Sequence, residues 1–249
     1  MKQQIEKKNV ELPILEFFAI NFICFLVPFY ICMGAFLLFE YIIIFFFSLS
    51  CIIHILLIPF LLFFLYYAYI LILIEFSYYW VKIWNKSHPP KQGIFQRNLD
   101  NLNNKEGKIL KYYHRRGFII KFPVWLSSKS PFPWLVNRAL RRIGHNELSE
   151  NVIFCDSFAG LEFTKINENV FLYPTAAISS HAVNTIFGKI SMMEVYLEKN
   201  TTFYPCVIAG PNAKTEKNYT IYPLSVLHKN WRGKANKEIY SGSPAKPLE

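Results

Sequence analysis

The chain has 249 residues, 53% of them hydrophobic, with 27 Lys and Arg against 17 Asp and Glu. Residues 1–81 carry 3 basic and 5 acidic side chains, residues 82–142 carry 14 and 2, and residues 143–249 carry 10 and 10, so the net +10 is concentrated in one middle block. Five scattered cysteines with no CxxC pair (Cys24, Cys32, Cys51, Cys155, Cys206) match a reduced compartment and give neither a disulfide framework nor a zinc signature.

A basic segment, residues 1–12, comes first. Residues 13–84 are then almost wholly apolar and aromatic, with no Lys or Arg between Lys8 and Lys82. A membrane crossing takes roughly 20 apolar residues, so the stretch provides two long helices or three short ones. Lys2, Lys7 and Lys8 precede it, and Lys82, Lys86, Lys91 and Arg97 follow it. The positive-inside rule puts both flanks, and so both termini, in the cytoplasm, which selects two crossings of the cell membrane. The reversal is expected between Phe39 and Cys51, near Glu40, Ser48 and Ser50, with Tyr78, Tyr79, Trp80 and Trp84 as an aromatic belt at the near interface. Glu16 and Glu75 fall near the helix ends, and His54 is expected as a neutral, hydrogen-bonded residue between the helices. The run is too long, and lacks the small-residue exit, for a cleaved signal peptide.

Residues 85–146 mix basic and aromatic side chains: Arg115, Arg116 and Lys121 stand among Tyr112, Tyr113, Phe118, Phe122 and Trp125. A short interfacial helix is expected in SPFPWLVNRALRRIG, with Ser130 as cap, Pro131 and Pro133 near the first turn and Gly144 as stop. Such a mixture also suits single-stranded nucleic acid. Directly after a membrane hairpin, the expected partner is instead anionic lipid headgroups, and no nucleic acid is expected.

Residues 147–249 repeat in sixes. Leu197, Phe203, Ala209, Thr215, Ile221 and Leu227 form one column, and Ile166, Leu172 and Ile178 form another. The corners at Val170, Ala176 and Ala182, and at Thr201, Val207, Ala213, Tyr219 and Ser225, are mostly small. A period of six is neither 3.6 nor 2, and fits a triangular solenoid in which three six-residue faces complete one turn. The interval from Ile178 to Leu197 is read as one turn plus one extra residue, extruded in ISSHAVNTIFGKISMMEVYL. Asn200-Thr-Thr and Asn218-Tyr-Thr would be glycosylation acceptors only outside the cell, and the charge pattern places them inside.

With its two columns of six and its closing Gly242-Ser-Pro-Ala-Lys246 run, the C-terminal part resembles the hexapeptide-repeat acyltransferases, the left-handed parallel β-helix family. The order of membrane segment, basic linker with RRIGHNELSENVIF and solenoid is also similar to the C-terminal transferase-like region of poly-lysine synthetases. The fold expected is therefore an N-terminal transmembrane helical hairpin followed by an all-β left-handed parallel β-helix. The resemblance implies transfer of an acyl group from a thioester, usually acyl-CoA, to a hydroxyl or amine, with no metal. It implies a histidine as general base, and His181 is the candidate, with Asn184 and Glu194 to orient it or the acceptor. Counting coils puts Asn200 one turn beyond His181, and puts Asp156 and Glu162 too far away to assign. Lys229, Arg232 and Lys246 would hold CoA phosphates or stand as solvated lysines and arginine, and His228 is structural or lies near those phosphates. Family members often form homotrimers with sites between subunits. Two other classes compete: a non-catalytic, membrane-tethered β-helix scaffold, and a β-helix carbonic anhydrase, which needs three histidines around zinc.

Overall fold

A computed structural model describes residues 14–47, 51–97, 104–184, 188–234 and 236–248. Helix α1 (Ile14–Ile42) runs into a π-helical turn (Ile43–Phe47), and α2 (Cys51–Ser87) returns beside it. Both are long and apolar enough to cross a membrane. Large side chains such as Leu15, Phe18, Ile52 and Phe64 are exposed along them. The reversal lies where the sequence suggests; Ser48, Ser50 and the N-terminal lysines fall outside the described residues. Glu40 meets His54 across the two helices at 2.7 Å.

Helix α3 (Lys105–Ser128) starts at Asn104, whose side chain accepts from the Gly107 amide at 2.6 Å. Helix α4 (Pro133–Ile143) begins with Pro133 and stops at Gly144. Its cap position is Phe132 rather than Ser130, although the Ser130 hydroxyl accepts from the Phe132 amide at 3.1 Å. Ile119, Ile120, Leu135, Ala139 and Ile143 of these helices pack on Ile70, Leu73 and Ile74 of α2. Much of the basic block turns inward onto the chain's own acids. Arg115 pairs with Glu16, and Arg138 and Arg142 reach Glu75 at 2.9 and 2.8 Å. The Arg142 guanidinium also lies 3.7 Å from the centre of the Tyr78 ring. The acids near the helix ends are thus held by arginines.

From Glu147 onward the chain coils as three stacked parallel sheets. One contains Ile153–Phe154, Phe171–Leu172, Thr202–Phe203, Thr220–Ile221 and Ile239–Ser241, closed by antiparallel Lys246–Pro247. Thr202 pairs with Thr220 and Ile208 with Val226, the same separation of 18 that joins Asn200 to Asn218, and this is the length of one turn. Leu197, Phe203, Ala209, Ile221 and Leu227 are fully buried. Thr215 interrupts the apolar column without leaving a polar group unpaired, because its hydroxyl accepts from the Glu198 amide at 2.9 Å and bonds Thr201 at 3.0 Å.

The corners show the period most directly. Asn200, Cys206, Asn212, Asn218, Leu224, Asn230 and Asn236 all have φ between 59° and 65°, one at every sixth position. Asparagine enters this region at the lowest cost after glycine. Here the side chains also bond from turn to turn: Asn169 to Asn200 at 3.2 Å, Asn200 to Asn218 at 2.9 Å, and Asn212 to Asn230 at 2.8 Å. Helix α4 covers the first coil through Val136 and Leu140, and Asn137 donates to the Val152 carbonyl at 2.9 Å. The tail covers the other end, where the Trp231 indole donates to the Ala245 carbonyl at 2.8 Å.

The interval after Ile178 is not one turn plus one residue. Ile166 pairs with Leu197, Leu172 with Phe203 and Ile178 with Ala209, the same separation of 31 that joins Asn169 to Asn200. Against the regular 18 of Asn200 to Asn218, this single turn therefore carries 31 − 18 = 13 additional positions. They leave the coil as an antiparallel hairpin, His181–Asn184 against Lys189–Met192, and the second strand pairs with Gly93–Gln96. Ile190 and Met192 of this hairpin bury against Leu110 of α3. His181 therefore lies at the root of a hairpin packed near α3, not on a coil corner.

Candidate functional site

Where α3, the loop before Thr164 and the hairpin root meet, the chain buries charge. Arg116 and Glu162 are both only 4% exposed and ion-pair through the arginine Nε and the carboxylate Oε1. Arg116 also donates to the His88 carbonyl at 3.1 Å. His145 places Nδ1 3.4 Å from the same Oε1, and its Nε2 lies 3.0 Å from the Asn85 amide nitrogen. The Asn85 amide and the His145 ring are thus in hydrogen-bond range, the direction being set by the ring tautomer. The 3.4 Å separation is ion-pair range rather than an aligned hydrogen bond. Glu162 Oε2 is buried with no hydrogen-bond partner among the described residues, an acceptor held out of water.

His181 stands beside this pair. Its ring meets Tyr113 edge-on at 5.8 Å, and no group among the described residues hydrogen-bonds its nitrogens, in contrast to His145. Burial lowers its pKa below the ordinary histidine value; Glu162 opposes that shift and Lys121 adds to it. His181 is thus an imidazole whose neutral form burial favours, in the field of a buried carboxylate. Tyr113 is pushed well above the usual tyrosine value, first by burial and then by Glu162. His114, one residue on, is lowered to about 4 by burial, then by Arg97, Lys121 and His181. It packs against Phe118 and Tyr113 as a neutral ring.

The other residues singled out from the sequence are dispersed. Asn184 lies three residues along the same strand as His181, opposite Lys189. The Glu194 amide donates to the Gln92 side chain at 3.0 Å, and its carboxylate acts on Lys165. Asn200 stacks between Asn169 and Asn218 rather than beyond His181. Lys229 donates to Ser191 at 2.7 Å, tying the coil to the hairpin, and Arg232 is bonded to the Asn212 side chain at 3.1 Å and the Trp231 carbonyl at 2.7 Å. Lys246 is exposed on the last strand, and His228 lies 3.4 Å from Ser243. Lys229 and Arg232 are thus engaged by different groups, while Lys246 is exposed at the end of the coil.

Coil counting sets Glu162 aside. It nonetheless acts on His181, because the loop before Thr164 folds back to α3. Its signal in the sequence is a lone acid inside the apolar run FAGLEFTKI. Among the described residues no group of three or more His, Cys, Asp or Glu is placed to hold a metal ion. A cavity of about 550 Å³ opens nearby between α1, α3, α4 and the first coil, with Lys121 on its lining.

No family model matches the chain, and no curated protein matches it. Among solved structures it is similar to a maltose O-acetyltransferase from Clostridium difficile 630, at 18% identity and a TM-score of 0.41, over 59% of this chain and 89% of the other. It is also similar to a hexapeptide-repeat acetyltransferase from Vibrio cholerae O1 biovar eltor complexed with acetyl coenzyme A, at 11% identity and a TM-score of 0.39, over 60% and 91%. Neither likeness assigns a role to any residue here.

Proposed function

We propose that the chain is a membrane-anchored acyltransferase, moving an acyl group from a thioester such as acyl-CoA to a hydroxyl or amine at the cytoplasmic face. The observation that supports this reading is His181, at the root of the excursion from the coil, with its ring against Tyr113, its nitrogens unbonded among the described residues and its neutral form favoured by burial. A neutral imidazole takes the proton from the acceptor as its oxygen or nitrogen bonds to the thioester carbonyl carbon. The C–S bond then breaks, the thiolate leaves, and the imidazolium returns the proton to it. Glu162 favours the imidazolium formed on the way. Tyr113 fixes the ring from one side.

In this reading the regular coil is a left-handed hexapeptide-repeat helix, and α1 and α2 cross the bilayer twice with both termini inside. Lys82, Lys86 and Lys91 follow α2 or lie in its last turns, where anionic headgroups would sit. Lys246, exposed, is the cation of the three available to a donor's phosphates. A homotrimer would bring a second chain's coil towards the hairpin root. The poly-lysine synthetase likeness adds the order of segments and no residue role.

The test is the full chain in membranes, given acetyl-labelled acetyl-CoA and a membrane extract. Label transferred to an extract component, with stoichiometric thiol release that His181→Ala abolishes, supports the reading. Thioester consumption unchanged in His181→Ala would instead favour a tethered scaffold.

A further inference from the structure

The cavity between the helices and the first coil plays no part in that proton transfer. Val124 and Trp125 of α3, Val136 and Leu140 of α4, and Phe158 and Leu161 of the first coil are among its apolar lining. Its volume, about 550 Å³, suits a small-molecule site rather than a packing defect. Asn21 of α1 also lines it, on a helix whose neighbouring Phe18, Phe22 and Phe25 are exposed along the membrane segment. An apolar chamber with one wall on a lipid-facing helix is filled most favourably by a hydrocarbon chain arriving through the bilayer.

Its polar lining is Asn21, Lys121, Ser128, Asp156 and Ser157, and Asp156 is met by Lys129 at 4.0 Å, which leaves Lys121 as the cation without an acid beside it on the lining. Ser157 contributes a buried hydroxyl with no hydrogen-bond partner among the described residues. Lys121, exposed, brings a positive charge that also acts on His114 and His181. The Lys121 ammonium also lies 6.0 Å from the centre of the Phe17 ring of α1, which puts its charge at the α1 side of the chamber. We infer that the cavity seats the acyl chain of a single-chain anionic amphiphile, with its headgroup at Lys121. This chain-binding site does not rest on the acyl-transfer reading.

The experiment places the full chain in phosphatidylcholine vesicles and uses a photoactivatable sixteen-carbon fatty acid as the probe, with labelled residues mapped by mass spectrometry. Label is expected on residues 121–128 and 154–161, competed by unlabelled fatty acid. Val124→Trp, which fills the chamber, should cut it at least about five-fold. Lys121→Glu, on an exposed residue that leaves folding intact, should cut carboxylate labelling about five-fold while a fatty-alcohol probe is unaffected. Label confined to the outer faces of α1 and α2, or unchanged in both variants, overturns the assignment, as does preferential labelling by a two-chain phosphatidic acid probe. His181→Ala should leave labelling intact. Labelling without acyl transfer by the unaltered protein keeps the cavity assignment and overturns the acyltransferase reading; transfer without labelling does the reverse.

Discussion

Removing Arg116 tests the buried pair that organises the candidate site. Arg116→Met leaves the Glu162 carboxyl at 4% exposure without its arginine, with its Oε2 already lacking a partner among the described residues and His145 3.4 Å from Oε1. Stranding one member of a buried pair costs about 3–5 kcal/mol, and for a chain of this size each kcal/mol lowers the melting temperature by about 2–4 °C. The expected drop is therefore about 6–20 °C, read by circular dichroism of the protein in nanodiscs. Arg116→Met combined with Glu162→Gln removes both charges and should recover most of the loss, since the pair itself contributes little net stability. Glu162→Gln also removes a group that raises the His181 pKa, so the His181 titration should move lower still. A single variant that melts within about 2 °C of the unaltered protein would refute the reasoning, because it would mean that the two charges are not held out of water.

His114 titrates at about 4 in the fold against an ordinary 6.5, so the unfolded chain binds its proton first as pH falls. Stability should fall between pH 6.5 and about 4, by about 3 kcal/mol in all, and stay flat in this respect on either side. His114→Phe should flatten that slope in denaturant titrations at several pH values. Near the last coil, a β-carbon on Gly233 would overlap the ring and hydroxyl of buried Tyr219. Gly233→Ala should cost about 1–3 kcal/mol by thermal melt. Asn200→Ala loses both the preferred backbone residue at φ 59° and the bonds to Asn169 and Asn218. Asn200→Gly loses only the bonds, so glycine should destabilise less than alanine; equal losses would mean that the corner conformation carries no cost.

The coil is legible in the sequence because its period is a local property. Each column residue faces the interior at every sixth position whatever the rest of the chain does, and Asn at 200, 212, 218, 230 and 236 marks the corners by the one conformation it tolerates better than most residues. The interval from Ile178 to Leu197 is ambiguous for the same reason. A full turn plus one residue and a single six-residue face plus a 13-residue excursion give the same spacing, and only strand pairing distinguishes them. The ionic centre is less visible still. Charge counting finds the basic block, but the pairing of Arg115 with Glu16, Arg116 with Glu162 and Arg142 with Glu75 spans 46 to 99 residues. No local pattern encodes such contacts. His181 could be singled out by its place in an irregular segment, whereas its neighbours Tyr113 and Glu162 come from elements far away in sequence.

The measurement that bears most directly on the central claim is the rate of acceptor-dependent thiol release from acetyl-CoA, compared between the unaltered chain and His181→Ala in the same nanodiscs. Loss of the base should slow it by about 100-fold or more while the melting temperature stays within a few degrees. A folded His181→Ala protein that releases thiol at the unaltered rate would contradict the account.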